Sequence, residues 1–156
     1  MLIELGGNPC FWNGPAAVKK YGKSEIVSWF KDIVLASAWY EDNLASGSND
    51  DVYDKMVAIL KSGGANSYNG MVKKFRAQYL ATRLNTMTDP PRLQLSTIHD
   101  ISGINGAKDY FGYESGTLSQ IIATIESKAD GGIFAEPPTK DEIEIMKNVC
   151  DTLNNP

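Results

Sequence analysis

The sequence predicts a mainly α-helical fold, a compact single-domain bundle of five to seven helices with at most one short two-stranded β element. Three observations carry this. Apolar residues recur at helical spacing through most of the chain, two Thr-x-x-Gln/Glu capping boxes open helices in its last third, and Gly or Pro pairs punctuate the segments between. The 156 residues suit one domain, 1–156, and a chain of that length can bury about 70% of its unfolded surface around one core. With 42% hydrophobic and 22% charged residues, the composition is that of a folded globule.

Residues 1–14 read as an irregular entry segment, because Gly6-Gly7-Asn8-Pro9 interrupts any helix. Pro15 suits the first position of a short helix that runs to Tyr21 and stops at Gly22. Ser24 can cap the next helix. Its Ile26, Val27, Trp29, Phe30, Ile33, Val34, Leu35, Ala38 and Trp39 are apolar nearly all round, which places it in the middle of a bundle. A polar loop, 42–49, leads to a helix from about Asp50 to Ser62. Val52, Met56, Ile59 and Leu60 face inward there, early acids match the helix dipole, and Gly63-Gly64 is the stop. Asn66 or Ser67 opens the longest helix, to about Met87, on Met71, Val72, Phe75, Tyr79, Leu80 and Leu84; Asp89-Pro90-Pro91 ends it.

Leu93, Leu95 and Thr97 alternate with polar residues and permit a strand, with Leu2-Ile3-Glu4-Leu5 as its partner. Residues 99–115 read as a loop with a helical turn around Ala107 to Phe111. Thr117 with Gln120 opens a helix carrying Leu118, Ile121, Ile122 and Ile125 on one face. Gly131-Gly132 and Pro137-Pro138 frame a loop. Thr139 with Glu142 opens the last helix, whose stripe is Ile143, Met146, Val149, Cys150 and Leu153.

Fifteen basic residues against nineteen acidic ones give a net charge of -4, which opposes nucleic acid. The densest basic stretch, Lys73-Lys74-Phe75-Arg76, reads as a solvated helix face. No window approaches the ~18 apolar residues of a membrane span, so no membrane insertion is expected. The first residues lack the basic start and apolar run of a signal peptide. That leaves a cytoplasmic protein or a mature domain whose export signal has been removed.

The search for chemistry returns little. His99 is the only imidazole, and Ser96-Thr97-Ile98-His99-Asp100 offers adjacency in sequence rather than triad geometry. Glu41, Asp42, Glu114, Glu126, Glu136 and Glu142 sit where helix caps and solvated faces place acids, and nothing selects a pair for glycoside hydrolysis. Asp42, Asp50, Asp51 and Asp54 flank Ser46-Gly47-Ser48-Asn49, an oxygen-rich setting for calcium. The spacing departs from the EF-hand pattern, however, and Asp50 and Asp51 read as acids at a helix start. No catalytic, cofactor-binding or metal-ligating residue is expected. Cys10 and Cys150 stand near the two ends with no partner at zinc-ligand spacing. Two readings stay open for them. A terminal clasp suits Cys10 between Pro9 and Phe11, since domain ends often lie close together. Two reduced, buried thiols suit Cys150 on its apolar stripe.

Cys10-Phe11-Trp12-Asn13-Gly14-Pro15 is similar to the aromatic-Trp-Lys-Asn-His-Pro opening of a domain in exported surface proteins of archaea and bacteria. That family continues with a Leu, a Gly-rich break and a long helix ending in Leu-Asn. Here these correspond to Ile59-Leu60-Lys61-Ser62-Gly63-Gly64 and Leu80-Ala81-Thr82-Arg83-Leu84-Asn85. It closes on a Leu-x-x-Tyr/Leu-Asn-Asn-Gly helix end, here Leu153-Asn154-Asn155. The order holds over nearly the full length. Gly14-Pro15-Ala16 replaces the family's His-Pro-Glu, and no final Gly follows Asn155.

The resemblance implies export, a helical fold and display on a larger surface protein, and it lends no catalytic residues. It also implies a structural disulfide, Cys10 to Cys150, in an oxidising compartment. Phe11 and Trp12 would then pack over the helix ends as a lid. Asn85 and Asn154 would sit at helix C-termini, where Asn tolerates left-handed backbone. The resulting expectation is a non-enzymatic extracellular structural, adhesion or assembly module at the cell surface. Its partners would be other protein subunits or cell-envelope polymers. The alternatives are a carboxylate-dependent glycan hydrolase and a cytoplasmic helical protein-interaction domain, the latter with both cysteines reduced.

Overall fold

A computed structural model describes residues 3–129 and 137–156. Most of its helices begin where a side chain can hold the first unpaired N–H groups. The Asn8 side chain accepts the Phe11 N–H (2.9 Å) at the head of α1 (Pro9–Asn13), with Pro9 in the first turn. Gly6-Gly7-Asn8-Pro9 therefore starts a helix inside the segment expected to be irregular. Asn8 is the cap, and proline loses nothing at a position whose N–H is unpaired anyway. Two helices follow closely, α2 (Pro15–Tyr21) and α3 (Lys23–Ala36). The cap of α3 is Gly22, at φ +88°, not Ser24.

A 3₁₀ turn, Asp42–Ala45, lies within the expected polar loop. Ser48 caps α4 (Asn49–Leu60) and Ser67 caps α5 (Tyr68–Met87). A short α6 (Ala107–Phe111) lies between Gly106 and Gly112, both at left-handed φ. Thr117 and Thr139 form reciprocal capping boxes with Gln120 and Glu142 at the heads of α7 (Leu118–Lys128) and α8 (Lys140–Asn154). Gly131-Gly132 lies outside the described residues.

The central helix is α5. Tyr79, Leu80, Ala81 and Thr82 are all buried, so this stretch is enclosed on every side, and α8 is its most extensive partner. Ala77 and Ala81 are small enough to admit neighbouring helices closely. The expectation that the second helix would occupy the middle is corrected. In α3, Ile26, Val27, Phe30, Ile33 and Val34 are buried, but Leu35 is 63% exposed. Trp39 lies beyond its end and donates its indole N–H to the Ile125 carbonyl (2.9 Å). One hydrophobic cluster joins Trp12, α3, α4, α5, α7 and α8.

A two-stranded antiparallel element is present, but not between the segments expected. It pairs β1 (Ile98–Asp100) with β2 (Ser115–Thr117), His99 lying opposite Gly116. Leu93 is instead fully buried, its N–H bonded to the Asn85 carbonyl (3.0 Å). Residues 3–7 run beside 92–94 as a strap rather than a strand; Leu2 lies outside the described residues. Glu4 accepts the Gln94 N–H through its side chain (2.8 Å), and the Gly6 N–H reaches the Arg92 carbonyl (2.9 Å). A side chain in place of a main-chain carbonyl breaks any ladder there.

Candidate functional site

The densest set of buried polar groups lies where the two ends of the chain meet. Trp12 on α1, Asn85 on α5 and Asn154 at the end of α8 are 0%, 0% and 2% exposed. The Trp12 indole N–H donates to Asn85 Oδ1 (2.9 Å). Asn85 Nδ2 donates to the Gly7 carbonyl (2.8 Å) and to Asn154 Oδ1 (3.0 Å), which also accepts the Thr82 hydroxyl (2.9 Å). Asn154 Nδ2 donates to the carbonyl and the side-chain oxygen of Gln78, each at 3.0 Å, and the Gly7 N–H closes the ring on the Asn154 carbonyl (3.1 Å).

Every donor of both carboxamides is thereby used, which removes the desolvation penalty of burying them. The strap can approach this closely because it is glycine. A Cβ on Gly7 would stand 2.6 Å from Asn85 Oδ1, and one on Gly6, at φ +63°, would stand 2.4 Å from the Asn154 carbonyl oxygen. Arg92 completes the collar: its Nε donates to the Gly6 carbonyl and its guanidinium lies 4.1 Å from the Phe11 ring centre.

Of the residues quoted for the sequence resemblance, Trp12, Asn85 and Asn154 meet at this junction. Their roles differ from those expected. Asn85 lies within α5 and Asn154 is the last residue of α8, so neither is a left-handed cap. Both are buried cross-links, and Trp12 is a core residue tied by its N–H, not a lid.

The expected Cys10–Cys150 disulfide is corrected as well: the two cysteines are free thiols. Cys150 projects from the apolar face of α8 into the core beside Thr82, and burial pushes its thiol up to about 12. Cys10 is exposed on α1. Head and tail do meet, but amides join them while one sulfur points inward and the other to solvent. In the native protein a thiol reagent is expected to modify Cys10 alone, with Cys150 reacting only after denaturation. Intact mass after labelling checks this; a native protein with no titratable thiol would overturn the assignment.

A second polar cluster ties 37–39 to α5 and α7. Glu126 Oε2 accepts the hydroxyls of Ser37 (2.6 Å) and Tyr79 and faces Arg83 Nη1 (3.4 Å), while Oε1 accepts the Ala38 N–H (2.8 Å). Burial holds the Tyr79 hydroxyl far above its ordinary value, so it acts as a donor here. Of the acids considered for hydrolysis, Glu126 alone among the described residues has so extensive a built environment, and its oxygens are committed to it. Glu41 pairs with Arg76 (2.8 Å), Glu114 with Lys108 (3.0 Å), Glu142 serves its capping box and Asp42 lies in the 3₁₀ turn. Glu136 lies outside the described residues.

Asp50 pairs with Lys23 (2.8 Å), and the Asp51 N–H is held by Ser48. Among the described residues no three His, Cys, Asp or Glu side chains gather as a metal group, Asp42, Asp50, Asp51 and Asp54 included. His99 Nε2 lies 3.5 Å from Glu4 Oε1 on the strap. No described helix is long and apolar enough to cross a membrane.

Fold and junction together define a mainly helical domain whose ends are fastened by buried amides. Comparison with protein-family models, with curated proteins and with solved structures finds no match.

Proposed function

We propose that this chain is a non-enzymatic structural or assembly module that docks onto another protein subunit through the face formed by its strap and β1. One observation carries the reading. The large apolar side chains left exposed include Ile3 (79%), Leu5 (58%), Leu95 (49%) and Ile98 (69%), on two segments that Glu4 ties together through Gln94 and His99. Large aliphatic side chains exposed on adjoining segments suit a protein interaction surface. The set is aliphatic, without the aromatic platform on which sugar rings stack, so a protein subunit fits better than an envelope polysaccharide. The setting in an exported surface protein is supported by the order of the sequence motifs and no longer leans on a disulfide.

A photo-crosslinking residue placed at Ile98, in the cells that make the protein, tests the reading. A discrete protein adduct is expected from position 98 and not from the exposed position of Ser28 on α3. Leu95→Asp together with Ile3→Asp should abolish it while leaving the thermal midpoint unchanged. Equal adducts from both positions, or an adduct that survives the two substitutions, would sink it.

A further inference from the structure

The basic stretch Lys73-Lys74-Phe75-Arg76 does not behave as one solvated face. Lys73 is exposed, Arg76 turns to Glu41 and to the Tyr40 ring, and Lys74 is half-buried along a groove. That groove, about 350 Å³, runs between α1, the end of α4, α5 and α8, and meets the buried amide junction at Gln78. Its size falls in the range of small-molecule sites. Lys147 on α8 lines it too and is likewise half-buried, and neither lysine pairs with a carboxylate among the described residues. The third charge is Asp151, exposed and one turn beyond Lys147; it accepts the Asn155 amide (3.0 Å) and forms no ion pair among the described residues. Leu60 and Ala77 supply apolar wall, and Cys10 lines it from α1.

Partly desolvated ammonium groups without partners carry a penalty that a bound carboxylate relieves. Two cations and one anion, uncompensated by each other, match charge for charge a ligand with two carboxylates and one ammonium, its methylenes lying on Leu60 and Ala77. We propose that this groove binds a free acidic amino acid. Lys74 and Lys147 would hold the carboxylates and Asp151 the ammonium. The assignment uses a different face from the docking surface and does not depend on it.

Cys10 supplies the readout, since it lines the groove while Cys150 is buried. The rate of Cys10 alkylation by iodoacetamide, a neutral reagent, is measured with L-glutamate, glutarate or L-glutamine at matched ionic strength. Occupancy at about ten times the dissociation constant of L-glutamate should slow alkylation about tenfold. The double variant Lys74→Ala/Lys147→Ala should lose this protection with an unchanged thermal midpoint. Asp151→Asn should weaken L-glutamate about tenfold and leave glutarate unaffected, which isolates the contact to the ammonium from mere screening. Failure of L-glutamate to protect at about 10 mM, the weak end of specific binding, would overturn the proposal. So would glutarate protecting as well as L-glutamate, or protection persisting in the double variant.

Discussion

Asn85→Ala is expected to cost about 3–5 kcal/mol of folding stability, read as a lower urea midpoint at unchanged slope. The substitution leaves the Trp12 indole N–H, the Gly7 carbonyl and Asn154 Oδ1 each short of a partner at a site where Asn85 itself is 0% exposed. A buried group stranded in this way costs about 1–3 kcal/mol, and the cavity left by the carboxamide adds to it. Asn85→Asp is no remedy. It keeps an acceptor for Trp12 but loses both N–H donors and places a charge between the Gly7 carbonyl and Asn154 Oδ1. Asn154→Ala should cost a similar amount, and the double variant should fall well short of the sum, because both substitutions remove the same bridge. A loss below about 1 kcal/mol for Asn85→Ala would mean that the ends are held by something other than this junction.

The parts of this architecture that were legible in the sequence are those whose partners lie within one helical turn. Thr117 with Gln120 and Thr139 with Glu142 each contain both halves of a hydrogen-bonded pair inside four residues, so the caps could be read directly. Pro15 and Gly22 bracket α2 for the same reason. Asn85 and Asn154 carry the opposite lesson. An Asn after Leu near a helix end suits a left-handed cap equally well, and only a partner 69 residues away distinguishes a cap from a buried cross-link. The one local hint was the pair Gly6-Gly7, which reads as a helix breaker yet is needed because a side chain there would strike Asn85 and Asn154.

The cysteines follow the same pattern. Their positions near the two ends suggested a clasp, whereas the periodicity Met146, Val149, Cys150, Leu153 already placed one sulfur on the buried stripe of α8. Proximity of the ends was the sound part of the expectation, and sulfur was the wrong chemistry for it. The strand pairing was out of reach for a related reason. Leu93 and Leu95 alternate as a strand would, but their main-chain groups go to Asn85 and to Ser119, elements that periodicity cannot place.

Glu126→Ala is expected to cost about 3–4 kcal/mol and, unlike Asn85→Ala, to loosen one segment before the whole fold. The carboxylate holds Ser37, the Ala38 N–H, Tyr79 and Arg83 at once, so its removal leaves Arg83, only 17% exposed in its side chain, without an anion. Glu126→Gln also leaves Arg83 without an anion but should cost less than Glu126→Ala, about 2–3 kcal/mol, because the amide oxygen can still accept and the two hydroxyls can turn to accept from its nitrogen. Local loosening has its own reporter. The Trp39 indole N–H is tied to the Ile125 carbonyl beside this cluster, whereas the Trp12 indole is tied to Asn85 at the distant junction. In Glu126→Ala the Trp39 indole proton should exchange with solvent faster while the Trp12 indole proton stays protected to the level of global unfolding. In Asn85→Ala, which removes the Trp12 acceptor itself, the order should reverse. If both indoles lose protection together in each variant, the two clusters belong to one cooperative unit, and the separate fastening of the chain ends and of residues 37–39 is wrong.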